Sequence, residues 1–513
     1  MKKVFLLTLC LAIFINILHA QIYIATDGDD ANPGTQEQPF GTFPKAISEV
    51  MPGDTIYVRG GTYNITSTIT ISAAKSGTED QPVTLTAFNN EIPLLDFSAQ
   101  SFGSKGISLR SNYWHVKGLQ IKSAGDNGME INFGSNNIIE QCAFYENRDT
   151  GLQLSNGSAD NRIINCDSYY NADPPDYGDA DGFAPKLTVG SGNYFYGCRS
   201  WGNCDDGWDG YLRGADNMTT TMENCWTWSN GYLKDGTDPG SQANGNGFKM
   251  GGGDNSNSQQ LMHHNILINC LAFNNKNKGF DQNNNVGSMT LLNCTGYNNQ
   301  TANYRIQRAL NTGQTLILKN CLSYDGNVQL GSFAVQETNS WLPPFVVTSD
   351  DFLSLDINLA AAPRQADGSL PDIDFLHLAP GSDLIDAGVD LGMPFNGMAP
   401  DLGAFESGDP SGTNIAEMLE PTSFRLEQNY PNPFNSTTVI SYQLSDFSDV
   451  QLMIFNTTGQ LVRTLIAGNQ NAGAYTVSWN GHGDTGQTIS SGVYLCRLQV
   501  GNLVQTRKIL FVK

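Results

Sequence analysis

The fold is decided by a short pattern in the middle of the chain, Asn269-Cys270-Leu271-Ala272-Phe273, which returns 24 residues later as Asn293-Cys294-Thr295-Gly296-Tyr297. In both copies an asparagine precedes the cysteine, and an aromatic residue follows it by three positions. A constant period of this size is typical of repeat architectures, so we expect further copies on either side.

Five more cysteines carry the pattern, and together the seven are Cys142, Cys166, Cys198, Cys225, Cys270, Cys294 and Cys321. Asparagine precedes five of the seven, and an aromatic residue follows every one by three positions. In three repeats a glycine lies nine residues after the cysteine, whereas the distance is sixteen from Cys166 and twenty-two from Cys225. These two repeats therefore carry insertions, within 167–181 and 226–246.

Units of about 24 residues, made of short β runs and Gly/Asn corners, are typical of the rungs of a parallel β-helix. One rung cannot bury its own apolar face, but stacked rungs bury a continuous core with like residues above like. The aligned cysteines then pack as small hydrophobes, and the asparagines before them could form an amide ladder at the corners. Leucine-rich and propeller repeats need leucine spacings or blade lengths that are absent here.

The repeat extends beyond the seven cysteines in both directions. Residues 22–24 and 55–58 read as strands, with a short helix at 43–50 between them that can cap the open end of the stack. The region from the last clear rung to about Glu406 has weaker repeats and reads as final rungs plus irregular cover. The predicted β-helix domain is therefore 21–406.

One glycine per rung fixes the register, and these glycines are Gly151, Gly182, Gly207, Gly247 and Gly279. Each is followed by a large apolar residue, namely Leu152, Phe183, Trp208, Phe248 and Phe280. Because side chains alternate along a strand, we expect these apolar residues to point inward and their polar neighbours to point outward.

The same alignment gathers four carboxylates within two rungs. Asp181 lies one rung below Asp206, Asp205 lies beside Asp206, and Asp209 lies one rung below Lys249. Unpaired carboxylates a rung apart repel one another, and a hard cation removes that cost. Calcium accepts about six to eight oxygen ligands with flexible geometry, and no histidine or cysteine aligns here for a transition metal. The pattern predicts a Ca²⁺ site.

The net charge of the chain is −22. No basic patch is available to neutralise phosphates, which argues against a nucleic-acid partner. An acidic protein could act on an acidic polymer if a divalent cation lay between them.

Residues 1–20 read as a signal peptide, with Lys2 and Lys3 before an apolar stretch that ends at Leu18-His19-Ala20. No other segment could span a membrane, so we expect no transmembrane segment in the mature chain. Nine cysteines remain after Cys10 leaves with the signal.

With these residues in hand, the segment from about Ile22 to Glu406 resembles polysaccharide lyase family 9. The motifs are Ala180-Asp181-Gly182-Phe183, Asp205-Asp206-Gly207-Trp208-Asp209 and Gly245-Asn246-Gly247-Phe248-Lys249. The resemblance implies a right-handed parallel β-helix, a catalytic calcium held by the four aspartates and Lys249 as the base. The family mostly contains pectate lyases but includes rhamnogalacturonan lyases. The implied partner is an acidic pectic polysaccharide, either polygalacturonate or rhamnogalacturonan.

The implied reaction agrees with the residues. β-Elimination in a uronic acid polymer removes the proton at C5 and expels the oxygen at C4, and calcium on the C6 carboxylate stabilises the developing charge. Lys249 must be neutral to take the proton, so we expect the best rate above neutral pH. Arg305 lies at the corresponding offset two rungs beyond Lys249 and is a candidate for binding a substrate carboxylate.

A second, smaller domain follows a Gly/Ser/Pro/Thr-rich linker at 407–423. Strands alternate with short turns over 424–513, as in a small β-sandwich. The stretch Phe424 to Asn435, together with Asn456-Thr457-Thr458-Gly459-Gln460 and Ser491-Gly492-Val493-Tyr494, resembles type IX secretion sorting domains. The resemblance implies recognition by the type IX secretion machinery and a secreted or surface-attached product. A carbohydrate-binding module is the alternative for such a sandwich.

Three other functions remain open at this point. A rhamnogalacturonan lyase would share the fold, the calcium and the base. A β-helix glycoside hydrolase would need two carboxylates about 5–10 Å apart, and Asp206 with Asp209 could imitate them. A non-catalytic adhesin would need no role for Lys249. We expect a monomer.

Overall fold

The computed structural model describes residues 19–254 and 257–408, and, of the C-terminal region, 424–426, 429, 432, 434–435, 437–444, 448–456, 460–470, 473–484, 487, 489–500 and 503–512. The chain divides into two compact units after Asp409. The predicted signal peptide at 1–20 and the linker at 407–423 lie almost wholly outside the described residues and stay predictions.

Three long parallel sheets form the first unit. Sheet 1 has 12 strands, which are Gln21–Ile24, Thr55–Val58, Val83–Ala87, Trp114–Lys117, Ile138–Glu140, Arg162–Ile164, Asn193–Tyr196, Met218–Glu223, His263–Ile268, Met289–Leu292, Leu316–Lys319 and Ala334–Glu337. Sheet 2 has 10 strands, which are Gly61–Asn64, Pro93–Asp96, Gln120–Lys122, Ala143–Tyr145, Asp167–Tyr169, Arg199–Trp201, Trp226–Trp228, Leu271–Phe273, Thr295–Tyr297 and Leu322–Tyr324. Sheet 3 has 10 strands, which are Ile69–Ile71, Ile107–Leu109, Met129–Asn132, Leu152–Ser155, Phe183–Pro185, Trp208–Tyr211, Phe248–Gly252, Lys278–Asp281, Ala302–Ile306 and Val328–Leu330.

Each complete rung contributes one strand to each sheet, and neighbouring rungs pair in parallel along all three sheets. Sheet 1 has one further strand at each end, Gln21–Ile24 and Ala334–Glu337. The predicted parallel β-helix is therefore confirmed. The spacing of the cysteines identified it because each rung repeats the same strand–corner sequence, so like positions fall above one another.

The inward residues of sheet 3 form a continuous apolar stack. Backbone pairing aligns Leu152, Phe183, Trp208, Phe248 and Phe280 in successive rungs. The rings of Phe183 and Trp208 lie 4.8 Å apart, as do those of Trp208 and Phe248, and all five side chains are buried. The predicted inward orientation is confirmed, and the register fixed by the glycines is correct.

The seven aligned cysteines are buried free thiols. The Sγ of Cys270, for example, lies 3.4 Å from the carbonyl oxygen of Met222 in the rung below. Their role is packing, as predicted.

We expected an amide ladder through the asparagines that precede the cysteines. One bond of this kind is present, from Nδ2 of Asn293 to Oδ1 of Asn269 at 3.1 Å, but the continuous ladder lies elsewhere. Those residues turn the corners in the left-handed region, with Asn293 at φ 50°. The continuous ladder lies five residues after six of the seven cysteines, and its members are Asn147, Asn171, Asn203, Asn230, Asn275 and Asn299. Each donates from Nδ2 to Oδ1 of the next at about 2.9 Å, inside the corner between sheets 2 and 3, where water cannot replace the bonds.

A short helix, Phe43–Glu49, covers the N-terminal end of the stack, within one residue of the prediction. The Thr42 hydroxyl caps it by accepting a hydrogen bond from the backbone N–H of Lys45. Phe43, Ala46 and Ile47 are buried against the first rungs.

Residues 338–408 pack against the outer face of sheet 2 as the expected irregular cover, with the short 3₁₀ helices Ser349–Asp351 and Ile357–Ala361. Phe352 and Phe375 join Trp228 and Phe273 in a second apolar cluster. Another 3₁₀ helix, Ala73–Lys75, lies in the N-terminal rungs. None of the described helices is long and apolar enough to cross a bilayer.

The second unit is a small antiparallel β structure with its own core around Trp479 and Ile454. One sheet contains Phe424–Leu426, Thr438–Leu444 and Gly473–Trp479, and the other contains Leu461–Gln470, Ser448–Asn456, Gly492–Val500 and Leu503–Phe511. The alternating strands predicted from the sequence are present.

Candidate active site and metal centre

The acidic residues lie where sheet 3 begins in two successive rungs. The backbone N–H of Gly182 donates to the carbonyl oxygen of Asp206 at 3.0 Å, which places Asp181 directly beneath Asp206. Asp209 pairs in register with Lys249 in the next rung. The sequence alignment of these residues therefore matches the register of the sheet.

The glycines between them are required by close packing. A Cβ on Gly182 would lie 1.9 Å from Oγ of Ser200, and one on Gly207 would lie 2.0 Å from Oγ1 of Thr227. Only glycine lets the corner backbone approach the end of sheet 2 this closely. The same close approach brings the flanking aspartates of adjacent rungs together.

Asp181, Asp205 and Asp206 form a compact cluster in which one carboxylate oxygen of each lies within 4.8 Å of the others. All three are buried, with at most 1% of their surface exposed. Asp209 is 5% exposed and joins the cluster through the lysines described next.

Lys249 reaches into this cluster from the rung above. Its Nζ lies 2.9 Å from Oδ2 of Asp206 and 3.3 Å from Oδ1 of Asp209. The contact between Lys249 and Oδ2 of Asp206 is therefore a close ion pair. The structure thus brings together all five residues that the sequence singled out around the predicted calcium.

A second lysine, Lys186, was missed from the sequence. Its Nζ donates to Oδ2 of Asp181 at 2.8 Å and lies 3.8 Å from Oδ2 of Asp209. A signal was present: Phe183 was expected to point inward, and Lys186 follows it by three positions, so alternation directs Lys186 outward. The lysine therefore had to share the outward face with the carboxylates.

The longer insertion supplies hydrogen bonds to the carboxylates. The backbone N–H of Asn244 donates to Oδ1 of Asp205 at 2.5 Å, and both the backbone N–H and Nδ2 of Asn246 donate to Oδ1 of Asp206. Lys276 secures this segment by donating to Oδ1 of Asp238 and the carbonyl oxygen of Gly240. The roles of Asn244 and Lys276 were also missed, because an insertion has no counterpart in neighbouring rungs.

Burial dominates the acid–base properties of the cluster. It raises the pKa of Asp181, Asp205 and Asp206 above the ordinary value, and the neighbouring carboxylates add to this. Burial would also raise the pKa of Asp209, but Lys249 and Lys186 outweigh it and hold that pKa below its usual range.

For the two lysines, the neighbouring charges outweigh burial in setting the pKa. Burial alone would lower the pKa of Lys249, but the surrounding carboxylates, Asp206 first, raise it well above the ordinary value. The pKa of Lys186 is raised in the same way, chiefly by Asp181. Both ammonium groups are therefore held in the charged form by the cluster.

The residues fit a bound cation. Four carboxylates and two ammonium groups leave the cluster with an excess of negative charge, and burial with mutual repulsion raises the pKa of three of the acids. The donor set is all oxygen, as a hard cation such as calcium prefers. The site would thus be completed by one divalent ion.

Arg305 lies on the same outward row of sheet 3. The register runs from Asp209 to Lys249, then to Asp281 and Arg305. The Arg305 side chain is exposed, whereas Asp281 is buried and paired with Lys278 at 3.2 Å. The predicted position two rungs beyond Lys249 is therefore correct, and a guanidinium is accessible there.

Comparison with known proteins agrees with this geometry. The family model described as Pel9A-like, right handed beta helix region matches residues 22–326, and the FlgD Ig-like domain model matches residues 430–502. The chain is 41% identical to pectate lyase L of Paenibacillus polymyxa over 72% of this chain and 84% of that protein. It is 38% identical to pectate lyase L of Dickeya chrysanthemi over 75% of this chain and 90% of that one.

Two solved structures are similar over most of the solenoid. The crystal structure of pectate lyase Pel9A has 37% sequence identity and a TM-score of 0.70, covering 77% of this chain and 98% of that one. A rhamnogalacturonan lyase has 25% identity and a TM-score of 0.60, covering 70% and 96%. The chain therefore belongs to the Pel9A-like family of right-handed β-helix polysaccharide lyases, family 9.

Proposed function

We propose that the chain is a calcium-dependent pectate lyase that cleaves polygalacturonate by β-elimination. The observation that carries the proposal is the position of Lys249, whose Nζ lies 2.9 Å from Asp206 and 3.3 Å from Asp209 within a buried carboxylate cluster. The relatives at 38–41% identity that are named pectate lyases support the choice of substrate.

Asp181, Asp205, Asp206 and Asp209 would hold the calcium. When bound, the ion supplies Lewis-acid stabilisation of the charge that develops at the substrate carboxylate. Asn244 and Asn246 fix the orientation of Asp205 and Asp206 through their hydrogen bonds.

Lys249 would act as general base at the C5 proton of the uronate. It stands on the outward face of sheet 3, and 13% of its side chain is exposed, against 8% for Lys186. A base must be neutral, and the carboxylates around Lys249 favour its protonated form. We therefore expect the rate to rise above neutral pH.

Arg305 would bind a substrate carboxylate farther along the same face. Its side chain is exposed and lies two rungs from Lys249 in register. Arginine pairs with carboxylates through two parallel hydrogen bonds, which would orient the polymer along the row.

Rhamnogalacturonan is the second candidate substrate. The rhamnogalacturonan lyase with a TM-score of 0.60 has the same kind of fold over 70% of this chain. The higher identity to proteins named pectate lyases favours polygalacturonate.

We also propose that the protein is exported. The support is the sequence of residues 1–20, which has the pattern of a signal peptide, and the resemblance of 424–435 to type IX sorting domains. The match of 430–502 to an Ig-like domain is compatible with a sorting domain of β-sandwich type. Deleting 424–513 should leave the enzyme inside the cells, as measured by cell fractionation. Unchanged export would contradict this role.

The activity is tested by the ultraviolet absorbance of the unsaturated product as the mature chain acts on polygalacturonate. A rise with calcium that disappears with chelator and in Lys249→Ala would support the proposal. A rise in absorbance only with rhamnogalacturonan would change the assigned substrate from polygalacturonate to rhamnogalacturonan. New reducing ends without absorbance, unaffected by chelator, would indicate a hydrolase, and no cleavage at all would favour an adhesin.

A further inference from the structure

Two lysines share one carboxylate of the cluster. Oδ1 of Asp209 lies 3.3 Å from Nζ of Lys249, and its Oδ2 lies 3.8 Å from Nζ of Lys186. The two lysines approach from different rungs, one carried by Phe183–Pro185 and its continuation and the other by Phe248–Gly252. Asp209 is thus held between two positive charges.

The two ammonium groups differ in what else they contact. Lys249 pairs with Asp206 and has 13% of its side chain exposed. Lys186 is 8% exposed and donates both to Oδ2 of Asp181 and to the carbonyl oxygen of Asp179, at 2.8 and 3.3 Å. With its hydrogen bonds directed into the protein, Lys186 is a poor candidate for touching the substrate.

We propose that Lys186 is a positioning residue, a built-in counter-cation that keeps Asp181 and Asp209 in place when no metal is bound. The proposal rests on the proposed calcium site and goes beyond it by assigning a second lysine. It also explains why two lysines are present where the reaction needs one base: Lys249 is available for the substrate, and Lys186 stays with the carboxylates.

The charge of the cluster supports this division. Four carboxylates and two ammonium groups sum to a formal charge of about −2, which one divalent cation neutralises. Without Lys186 the empty cluster would have a formal charge of about −3 in a buried site, where uncompensated charge is strongly unfavourable. A bound divalent cation would then replace part of what the missing lysine supplied.

The experiment compares thermal unfolding of the full mature chain in calcium and in chelator. Lys186→Met keeps an unbranched apolar side chain that is only one atom shorter, but removes the charge. We expect its midpoint to fall by several degrees in chelator and by clearly less in calcium, so that calcium raises the midpoint more than in the unsubstituted protein. By linkage, calorimetric titration should show calcium binding at least about threefold more tightly.

Lys186→Arg retains the charge and should give a calcium-induced rise close to that of the unsubstituted protein. Arg199→Met is the matched control, because it removes a buried cation from Asp167 and leaves that carboxylate one partner, Arg364. Arg199→Met should lower the midpoint equally with and without calcium.

Equal losses in calcium and chelator for Lys186→Met would overturn the proposal, since they would indicate packing alone. An enlarged calcium effect in Lys186→Arg would overturn it too. If Lys186→Met folds only in calcium, unfolding on addition of chelator is the expected result. No calcium effect in the unsubstituted protein would overturn the calcium site itself, whereas lack of lyase activity with the expected midpoints would overturn only the proposed reaction.

Discussion

Asp167 and Arg364 are 197 residues apart in the chain and form a partly buried ion pair, with Nη2 of Arg364 2.7 Å from Oδ1 of Asp167. Arg199 holds the other oxygen, Oδ2, at 2.8 Å and also donates to the carbonyl oxygens of Ala360 and Ala362. Asp167 lies on sheet 2 and Arg364 on the covering segment. The pair therefore fastens the irregular cover to the rungs.

Removing Arg364 should destabilise the solenoid. Arg364→Met leaves the partly buried Asp167 with only Arg199, and the cost should lie between those of a surface pair and a fully buried pair, at about 2 kcal/mol. The free energy of unfolding from urea titration should fall by that amount. Lys319→Met is the control, since Lys319 pairs with Glu337 at the surface, with side chains 30% and 48% exposed, and such pairs contribute less than about 1 kcal/mol. Equal losses in the two variants would contradict the assigned role.

The contribution of this pair should depend on pH. Burial would raise the pKa of Asp167, but Arg364 and Arg199 outweigh it and hold the pKa below its ordinary value of 3.8. A lowered folded-state pKa gives stability that is fully present above the unfolded value and is lost as pH falls through the folded value. The difference in unfolding free energy between the unsubstituted protein and Arg364→Met should be constant from pH 5 to 7 and shrink below about pH 4. A difference as large at pH 3 as at pH 7 would contradict this ion pair as its source.

The buried asparagine ladder should be sensitive to a single deletion. Asn203 accepts from Nδ2 of Asn171 at 2.8 Å and donates to Oδ1 of Asn230 at 3.0 Å, and it is fully buried. Asn203→Ala leaves several buried groups without partners, at a cost of about 3 kcal/mol in unfolding free energy. Asn136→Gly is the control, because Asn136 is exposed, its φ of 57° suits glycine and it lies outside the ladder, so a change below about 1 kcal/mol is expected in the same urea titration. If the control lost more stability than Asn203→Ala, the ladder would not be the stabilising row of asparagines.

The rungs were predictable from sequence because a constant period fixes the register. The glycines at Gly182, Gly207 and Gly247 alone were enough to place Asp209 beneath Lys249, as the strand pairing has it. The position of the asparagine ladder could not be predicted, since asparagines recur both one residue before and five residues after the cysteines. Only burial distinguishes the two rows, and periodicity carries no information about which row lies inside the corner.

Contacts outside the repeat left no such signal. Arg364 belongs to a segment without period, so nothing in the sequence indicates that it meets Asp167. The contact of Asn244 with Asp205 was unpredictable for the same reason, because Asn244 lies in an insertion. Lys186 differs from both, because it directly follows a strand whose register was known, and continued alternation would have placed it on the face of the site.

The thiols should be unreactive in the folded protein. Nine described cysteines are free and buried, seven of them in the core of the solenoid. Burial raises the pKa of Cys270 and Cys294 above the ordinary value, which disfavours the reactive thiolate. A thiol reagent should label almost none in native buffer and about nine per mature chain in denaturant. Fewer than nine in denaturant without reductant would indicate a disulfide.

Arg305→Ala should affect substrate binding more than turnover. The exposed guanidinium lies two rungs from Lys249, too far for the reacting carbon, and a charge-assisted pair with one uronate carboxylate corresponds to about a tenfold change in affinity. The KM for polygalacturonate should therefore rise about tenfold while kcat changes by less than about twofold. Gln329→Ala is the matched control, because Gln329 occupies the position in the next rung that is in register with Arg305, and its side chain carries no charge. Arg305→Lys should recover part of the affinity but not all, since lysine cannot make the bidentate pair. A fall in kcat as large as the fall in kcat/KM would instead mean that Arg305 stabilises the transition state. An unchanged KM would mean that Arg305 does not bind the substrate.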